Sequence, residues 1–346
     1  MTTTQPKSIM ARPERLGAGD TSGDPPSNTP PTSPTRSTKL HDRGVSWRYR
    51  LDLKGSPYLY IAPFFLLFAG FGLFPLGYTA WVSLHDWSLL ADDHPFAGLA
   101  NYRELVADPY FWNALRNTVS ILVLGTVPQL ALALLIAHLL SMRLRGQTFF
   151  RLGMLLPNVA SVVAVAVIFS QLFGRDFGLI NWILESAGAG RIDWQAGTAS
   201  SHVAIATMIV WKWTGYNALI YLAAMQAVPG DLYESATIDG ASTLRQLRSI
   251  TIPMIRPTIV FTVMVSTIYG LQIFAEPQLF AGGGQDALTG GSSRQFQTLT
   301  LYLYEHGFHR GFQFGYASAT AWAMFGIIVV AAAVNYLLVR RIRSAT

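Results

Sequence analysis

The 346-residue chain is 51% hydrophobic and only 13% charged, with a mean hydropathy of +0.32. That is too apolar and too charge-poor for an ordinary soluble domain. It has no cysteine, which excludes a disulfide framework and a thiolate metal site. The net charge of +6 comes from basic residues in short clusters beside apolar runs, a pattern of membrane flanks rather than of a nucleic-acid-binding surface.

Residues 1–45 include "GDPPSNTPPTSPTRSTKLHDRG", rich in Pro, Ser and Thr and poor in large apolar side chains. Such a segment buries too little surface to offset its ordering entropy, so it reads as a disordered cytoplasmic tail. No short apolar core with a small-residue cleavage site follows it directly, so it does not read as a cleavable signal. Residues 46–346 read as one all-α membrane domain. Six stretches reach the roughly 20 apolar residues a crossing helix needs: 58–83, 115–140, 148–173, 203–227, 258–281 and 315–339. The first carries Tyr and Trp near both ends, which suits the headgroup region. The fourth is less apolar and contains Lys212. Pro63, Pro75, Pro128 and Pro157 lie in or near spans, where neighbouring helices can satisfy the freed carbonyls.

Orientation follows from Lys and Arg. One set of flanks holds 13 of them (Arg43, Arg48, Arg50, Lys54; Arg143, Arg145, Arg151; Arg245, Arg248, Arg256; Arg340, Arg341, Arg343), and the alternate set 6 (Arg103, Arg116, Arg175, Arg191, Arg294, Arg310). The excess puts both termini in the cytoplasm, and with them the segment 228–257 between spans four and five. There Pro229 and Gly230 end span four, and Asp231 stands where it can cap a new helix with Glu234 at capping-box spacing. Gly240 breaks that helix and Ser242 or Thr243 starts a second, which Pro253 and Pro257 are expected to stop. Ala236 and Gly240, four apart and small, offer a face for close approach.

Glu234-Ser235-Ala236, Gly240, Ile250, Ile252 and Pro253 keep the spacing of a Glu-Ala-Ala, Gly, Ile, Leu-Pro pattern. With it the chain resembles the permease subunits of binding-protein-dependent ABC importers, in which this pattern marks the cytoplasmic loop. Ser235 stands for Ala and Ile252 for Leu. The resemblance extends over about residues 58–343, through "WKWTGYNALIYLAAMQAVPGDLYESATIDGAS", "QIFAEPQLFAGGG", "QTLTLYLYEHGFH" and "FGYASATAWAMFGIIVV", and is closest to carbohydrate permeases of the maltose-transporter type. The glycine loop departs from the usual Gly-Gly-Pro, reading Gly283-Gly284-Gln285.

The resemblance implies a MetI-like fold of six helices, N-in and C-in, with a coupling hairpin that docks on an ATPase through Glu234, Ala236, Asp239, Gly240 and Arg245. It implies sugar contacts at Lys212, Trp213, Tyr216, Ser266, Tyr269 and Ile273, with Gln272 able to line the path. Lys212, Trp213 and Tyr216 share a helical face by spacing, as do Ser266, Tyr269 and Ile273. The implied partners are a second permease subunit in a heterodimer, two ATPase subunits or domains, an extracytoplasmic sugar-binding protein and the bilayer of a bacterial cell membrane. Nucleic acid is not among them.

No lysine follows a glycine, so no P-loop is present. The chain is read as non-catalytic and without a cofactor of its own, with ATP and Mg bound by the partner ATPase. An intramembrane charge is expensive; Lys212 snorkels, pairs with Glu276 or bonds a sugar hydroxyl, and Glu276 is read as bracing helices. Trp211 reads as an interface anchor, His138 as a packing histidine, and His306 with His309 lacks a third metal ligand. A secondary transporter would need internal repeats and midplane carboxylates, and a membrane enzyme a cluster of His, Asp or Glu; neither is evident. Among cargoes, "GGGQDALTGGSSRQFQTLTLYLYEHGF" is nearest to permeases for cellobiose-like β-glucosides, with other oligosaccharides or glycerol phosphate open.

Overall fold

The computed structural model describes residues 47–142 and 146–343. The expected tail 1–45 lies outside them, as do Arg143 and Arg145. The chain divides at Pro63 into two units. The described part of the first is the start of the first helix; the packing and sites below concern the second.

Among the described residues the structure is helical, with two isolated bridges, His85 to Phe96 and Ser88 to Gln313. In chain order the helices are α1 (Trp47–Phe68), α2 (Phe74–Ser83), α3 (Ala100–Ala107), α4 (Pro109–Ser141), α5 (Gln147–Val159), α6 (Val162–Leu172), α7 (Leu179–Ser186), α8 (Thr198–Gln226), α9 (Gly230–Ile238) and α10 (Thr243–Gln246). They continue with α11 (Ile252–Leu271), α12 (Ala275–Phe280), α13 (Gly284–Thr289), α14 (Leu299–Phe308) and α15 (Phe314–Arg343). Wide π turns join α1 to α2 at Ala69–Leu73 and α10 to α11 at Leu247–Thr251.

Four helical runs among the described residues are long and apolar enough to cross a bilayer: Tyr58–Ser83, Pro109–Ser141, Thr243–Leu271 and Phe314–Leu337. The expected third span, 148–173, is not one straight helix. α5 and α6 meet at 90°, with Ala160 and Ser161 extended between them. Pro157, near the end of α5, removes an N–H from the ladder just before the break. α8 is long but falls short of the apolar measure. The reason is its position: it packs against α4, α5, α6, α11 and α12, and burial in protein tolerates Ser201, His202, Thr214 and Asn217, where lipid would not.

The fifth span also differs from 258–281. Its helix starts at Thr243 and ends at Leu271, and α12 follows after a break at 272–274. Pro253 and Pro257 do not stop it. Ile252 N–H reaches Leu247 O across the π turn, so Pro253, which has no donor, falls where the bonding frame shifts.

Small residues set the closest helix approaches. A Cβ on Gly215 of α8 would sit 2.0 Å from Met154 O of α5, and one on Gly270 of α11 would sit 2.2 Å from Leu122 of α4. The apolar side chains form three clusters. One gathers Ile121, Phe169, Ile205 and Phe280; one gathers Ala133, Tyr221, Leu222 and Ile255 nearer the α9–α10 end; the third joins Leu105, Phe111, Leu299 and Tyr302.

A polar network closes the end opposite α9. Arg294, at φ +56, donates to both oxygens of Glu305 at 2.7 and 2.6 Å and to Gln297 Oε1 at 2.8 Å. Gln297 Nε2 and Arg310 Nε also reach the carboxylate, each at 2.7 Å, and Glu305 is 0% exposed. Asn113 and Asn117 of α4 donate to Arg294 O at 2.9 and 3.0 Å. Asp108, which N-caps α4, accepts from Tyr302, whose hydroxyl also meets that of Tyr316. Burial pushes the Glu305 carboxyl up, but the bonds from Arg294 and Gln297 outweigh it and hold it below the usual range.

Candidate functional site

Between the first two apolar clusters, α4, α8, α11 and α12 line a half-open cavity of about 290 Å³. Trp213 comes from α8, and Ser266, Tyr269 and Gly270 from the last turns of α11. Gln272 and Ile273 enter from the break after α11, and Glu276 from the first turn of α12. The Trp213 and Tyr269 rings lie 5.6 Å apart, tilted by 36°. Ring faces in a site with a few convergent polar groups suit the C–H faces and hydroxyls of a sugar.

The structure thus brings together Trp213, Ser266, Tyr269, Gln272 and Ile273. It does so with one correction: Ile273 shares no helical face with Ser266 and Tyr269, because the helix ends at Leu271. Ile273 is held by its carbonyl, which accepts from Thr298 and Thr300. Tyr216 is not on the wall. It is 42% exposed and abuts Trp213 edge to face at 6.0 Å, bracing that ring from outside.

Lys212 resolves among its three readings as a pair. Its Nζ lies 3.4 Å from Glu276 Oε1, with both side chains 12% exposed, and 5.8 Å from the Trp213 ring centre. The pair ties α8 to α12 and neutralises the one carboxylate on the cavity wall.

The α4 wall was missed by sequence reasoning. Ile121, Leu122, Thr126 and Gln129 all line the cavity. A Gln inside an otherwise apolar span, next to Pro128, was the available signal. Gln129 is 2% exposed, and its Nε2 has no hydrogen-bond partner among the described residues.

The second candidate region is the elbow α9–α10. Asp231 does not cap α9: the helix starts at Gly230 behind Pro229, with no side-chain cap, and Asp231 lies in its first turn. There an acidic residue complements the helix dipole. α9 closes at Gly240, φ +74, with Ala241 N–H bonded to Ala236 O and Gly240 N–H to Thr237 O, a Schellman arrangement. Ser242 caps α10 by accepting from Arg245 N–H. Tyr233 to Thr251 (2.9 Å) and Gln246 to Thr237 (2.9 Å) fasten the two arms into one piece.

Its outer surface presents Glu234, Asp239, Gly240 and Arg245, with Ala236 half-buried. It also exposes Ile238 (87%) and Leu244 (74%), two apolar side chains the motif did not flag. A Cβ on Gly240 would meet nothing within 4 Å, so this chain itself leaves the space beside it open. α10 runs through the π turn into α11, so one continuous helical run links the elbow to Ser266 and Tyr269 on the cavity wall.

Comparison with known proteins agrees with this geometry. Residues 121–344 match the family model described as binding-protein-dependent transport system inner membrane component. The lactose transport system permease protein of Rhizobium radiobacter is 35% identical over 83% of this chain and 93% of its own length. The trehalose/maltose transport system permease protein of Thermococcus litoralis is 32% identical over 83% and 94%. A chain of the bacterial alginate ABC transporter, crystallised with an alginate pentasaccharide-bound periplasmic protein, has the same fold, with a TM-score of 0.72 at 20% identity over 86% of this chain and 98% of that one. The protein is a multi-pass membrane protein and belongs to the family of inner membrane components of binding-protein-dependent transport systems.

Proposed function

We propose that this chain is the permease subunit of an ABC importer for a di- or oligosaccharide, and that the cavity between α4, α8, α11 and α12 is where the sugar passes. The observation that carries the reading is the wall itself: the Trp213 and Tyr269 rings 5.6 Å apart, Ser266 and Gln272 beside them, and Glu276, whose charge Lys212 pairs. The rings stack on sugar C–H faces and the polar side chains meet hydroxyls. Because the lysine is already paired with the wall carboxylate, the wall offers no free cation among the described residues. That favours an uncharged sugar over glycerol phosphate. The sequence likeness to cellobiose-type permeases makes a β-glucoside the first cargo to try.

The chain performs no chemistry in this reading. ATP and Mg are bound by two separate ATPase subunits or domains, a second permease completes the path as a heterodimer, and an extracytoplasmic sugar-binding protein delivers the cargo. Both termini and the 228–257 segment face the cytoplasm. The elbow docks on the ATPase through Glu234, Ala236, Asp239, Gly240 and Arg245, with Ile238 and Leu244 supplying apolar area, and passes its motion up α11 to the cavity. The test is binding-protein-stimulated ATPase activity of the complex in proteoliposomes. Glu234→Ala is expected to insert normally and lose stimulation. Normal stimulation in that variant, or a topology map placing the elbow on the outer face, would overturn the assignment.

A further inference from the structure

We infer that Gln129 is a specificity-determining residue of the cavity, reading one hydroxyl of the passing sugar; this rests on the cavity being the sugar path. The observation is a contrast within the two central helices. The buried polar side chains of α4 and α8 are Asn117, Thr118, Gln129, Ser201, His202, Thr214 and Asn217. Asn117 donates to Arg294 O and Gln297 O. Thr118 donates to Ala114 O and accepts from Leu299 N–H. Ser201 donates to Thr198 O, and His202 bonds Ser120 and Gln295 O. Thr214 and Asn217 bond back to the preceding turn. Gln129 differs: it is 2% exposed and its amide nitrogen has no partner among the described residues.

Its position explains what it is for. Gln129 lies one turn beyond Gly125 and one before Ala133, both buried and small, so the α4–α8 seam around it is tightly closed. Its side chain lines the cavity with Thr126 on one helix, opposite Tyr269 and Ser266 on another. A buried amide donor without an acceptor destabilises the fold, and Leu of similar size would remove that cost. An unpaired buried group of this kind calls for an explanation, and a hydroxyl arriving in the cavity supplies one.

An amide both donates and accepts, and so does a hydroxyl, so the two match without a charge. A wall group built to bond a hydroxyl is also the strongest device for rejecting an analogue that lacks it, because the group is then left buried and unpaired. Discrimination reaches about 10⁴-fold where such a site alone decides. Aromatic stacking by Trp213 and Tyr269 holds any sugar ring; Gln129 supplies the position-specific part.

The test uses the whole importer, this chain with its ATPase, second permease and binding protein in proteoliposomes. Stimulated ATPase activity is measured with cellobiose, maltose, lactose and trehalose, then with the monodeoxy derivatives of the most effective sugar. For the unaltered complex, one deoxy position is expected to lower kcat/KM about tenfold or more. Gln129→Leu is expected to accept that deoxy sugar and its parent within about twofold, with a Tm in detergent no lower than that of the unaltered chain. Tyr269→Ala is the control and is expected to weaken all sugars alike. If Gln129→Leu keeps the deoxy preference while Tyr269→Ala impairs transport, the inference about Gln129 falls and the cavity stands. A lowered Tm with an equal loss for every sugar also overturns it, since Gln129 is then structural. If neither substitution changes any sugar, the cavity is not the path and both readings fall.

Discussion

Two regions of the cavity-bearing unit are built on different plans. At the end opposite the elbow, Glu305 is wholly buried and accepts bonds from Arg294, Gln297 and Arg310, all at 2.6 or 2.7 Å. In the cavity, Lys212 and Glu276 meet at a single 3.4 Å contact, and Gln129 has no partner for its amide. The first arrangement over-determines its geometry, which is how Arg294 is held at a positive φ. The second leaves bonding capacity for something that arrives and departs. On the proposed reading, saturation marks the frame and incompleteness marks the path.

The contrast is broken most severely by Arg294→Met. It removes both Arg294 bonds from the buried Glu305 carboxylate, leaving it only Gln297 and the half-exposed Arg310, and is expected to cost about 3 kcal/mol, read as a large drop in Tm in detergent. Lys212→Met should cost less, about 1–2 kcal/mol, because the pair it breaks is longer and has one contact. Adding Glu276→Leu to it should recover most of that loss in the same assay. A Lys212→Met penalty equal to that of Arg294→Met would erase the distinction between frame and path. Smaller still is Gly240→Ala, about 1 kcal/mol from left-handed backbone alone, since its Cβ meets nothing. Faster amide exchange confined to α9 would report it.

The gentlest probe is pH. The Glu305 carboxyl is held below its ordinary range, burial being outweighed by its hydrogen bonds. His306 is likewise held low, by burial, against its bond to Tyr302 O. Both shifts are downward, so the stability they bring is present above the unfolded pKa values and is lost as pH falls through the folded ones. Amides of α14 should therefore be fully protected above about pH 6.5, begin to lose protection below it through His306, and lose more below about pH 4 through Glu305. Protection that rises as pH falls would contradict it.

Much of this frame was legible in the sequence. Length and hydropathy mark crossing segments, and the Glu234–Pro253 spacing marks the elbow. What stayed hidden has common physical causes. Hydropathy cannot separate a straight helix from a bent one, since Ala160 and Ser161 suit either, so the 90° bend was invisible. Pro253 and Pro257 read as stops because local rules do not include the π turn that accommodates them. α8 read as an ordinary span, although its modest apolarity was already the mark of a helix wrapped by others. The Arg294–Glu305 pair joins a loop to a helix that neither propensity nor periodicity brings together. For the cavity, two walls were visible as aromatic and polar residues on α8 and α11. The α4 wall needed the packing, because one Gln in a long apolar run gives no sign of which way it faces.

The π turn at Leu247–Thr251 has a consequence for how the gene can vary. A wide turn holds one residue more than the α-helical repeat requires. Deleting Ser249 would let the segment relax to ordinary winding while the helices on either side keep their relative rotation. The same single-residue loss at Ile259, in regular helix, would swing Ser266 and Tyr269 by about 100° relative to the elbow. The chain thus carries a local tolerance for a length change a few residues from a stretch that has none.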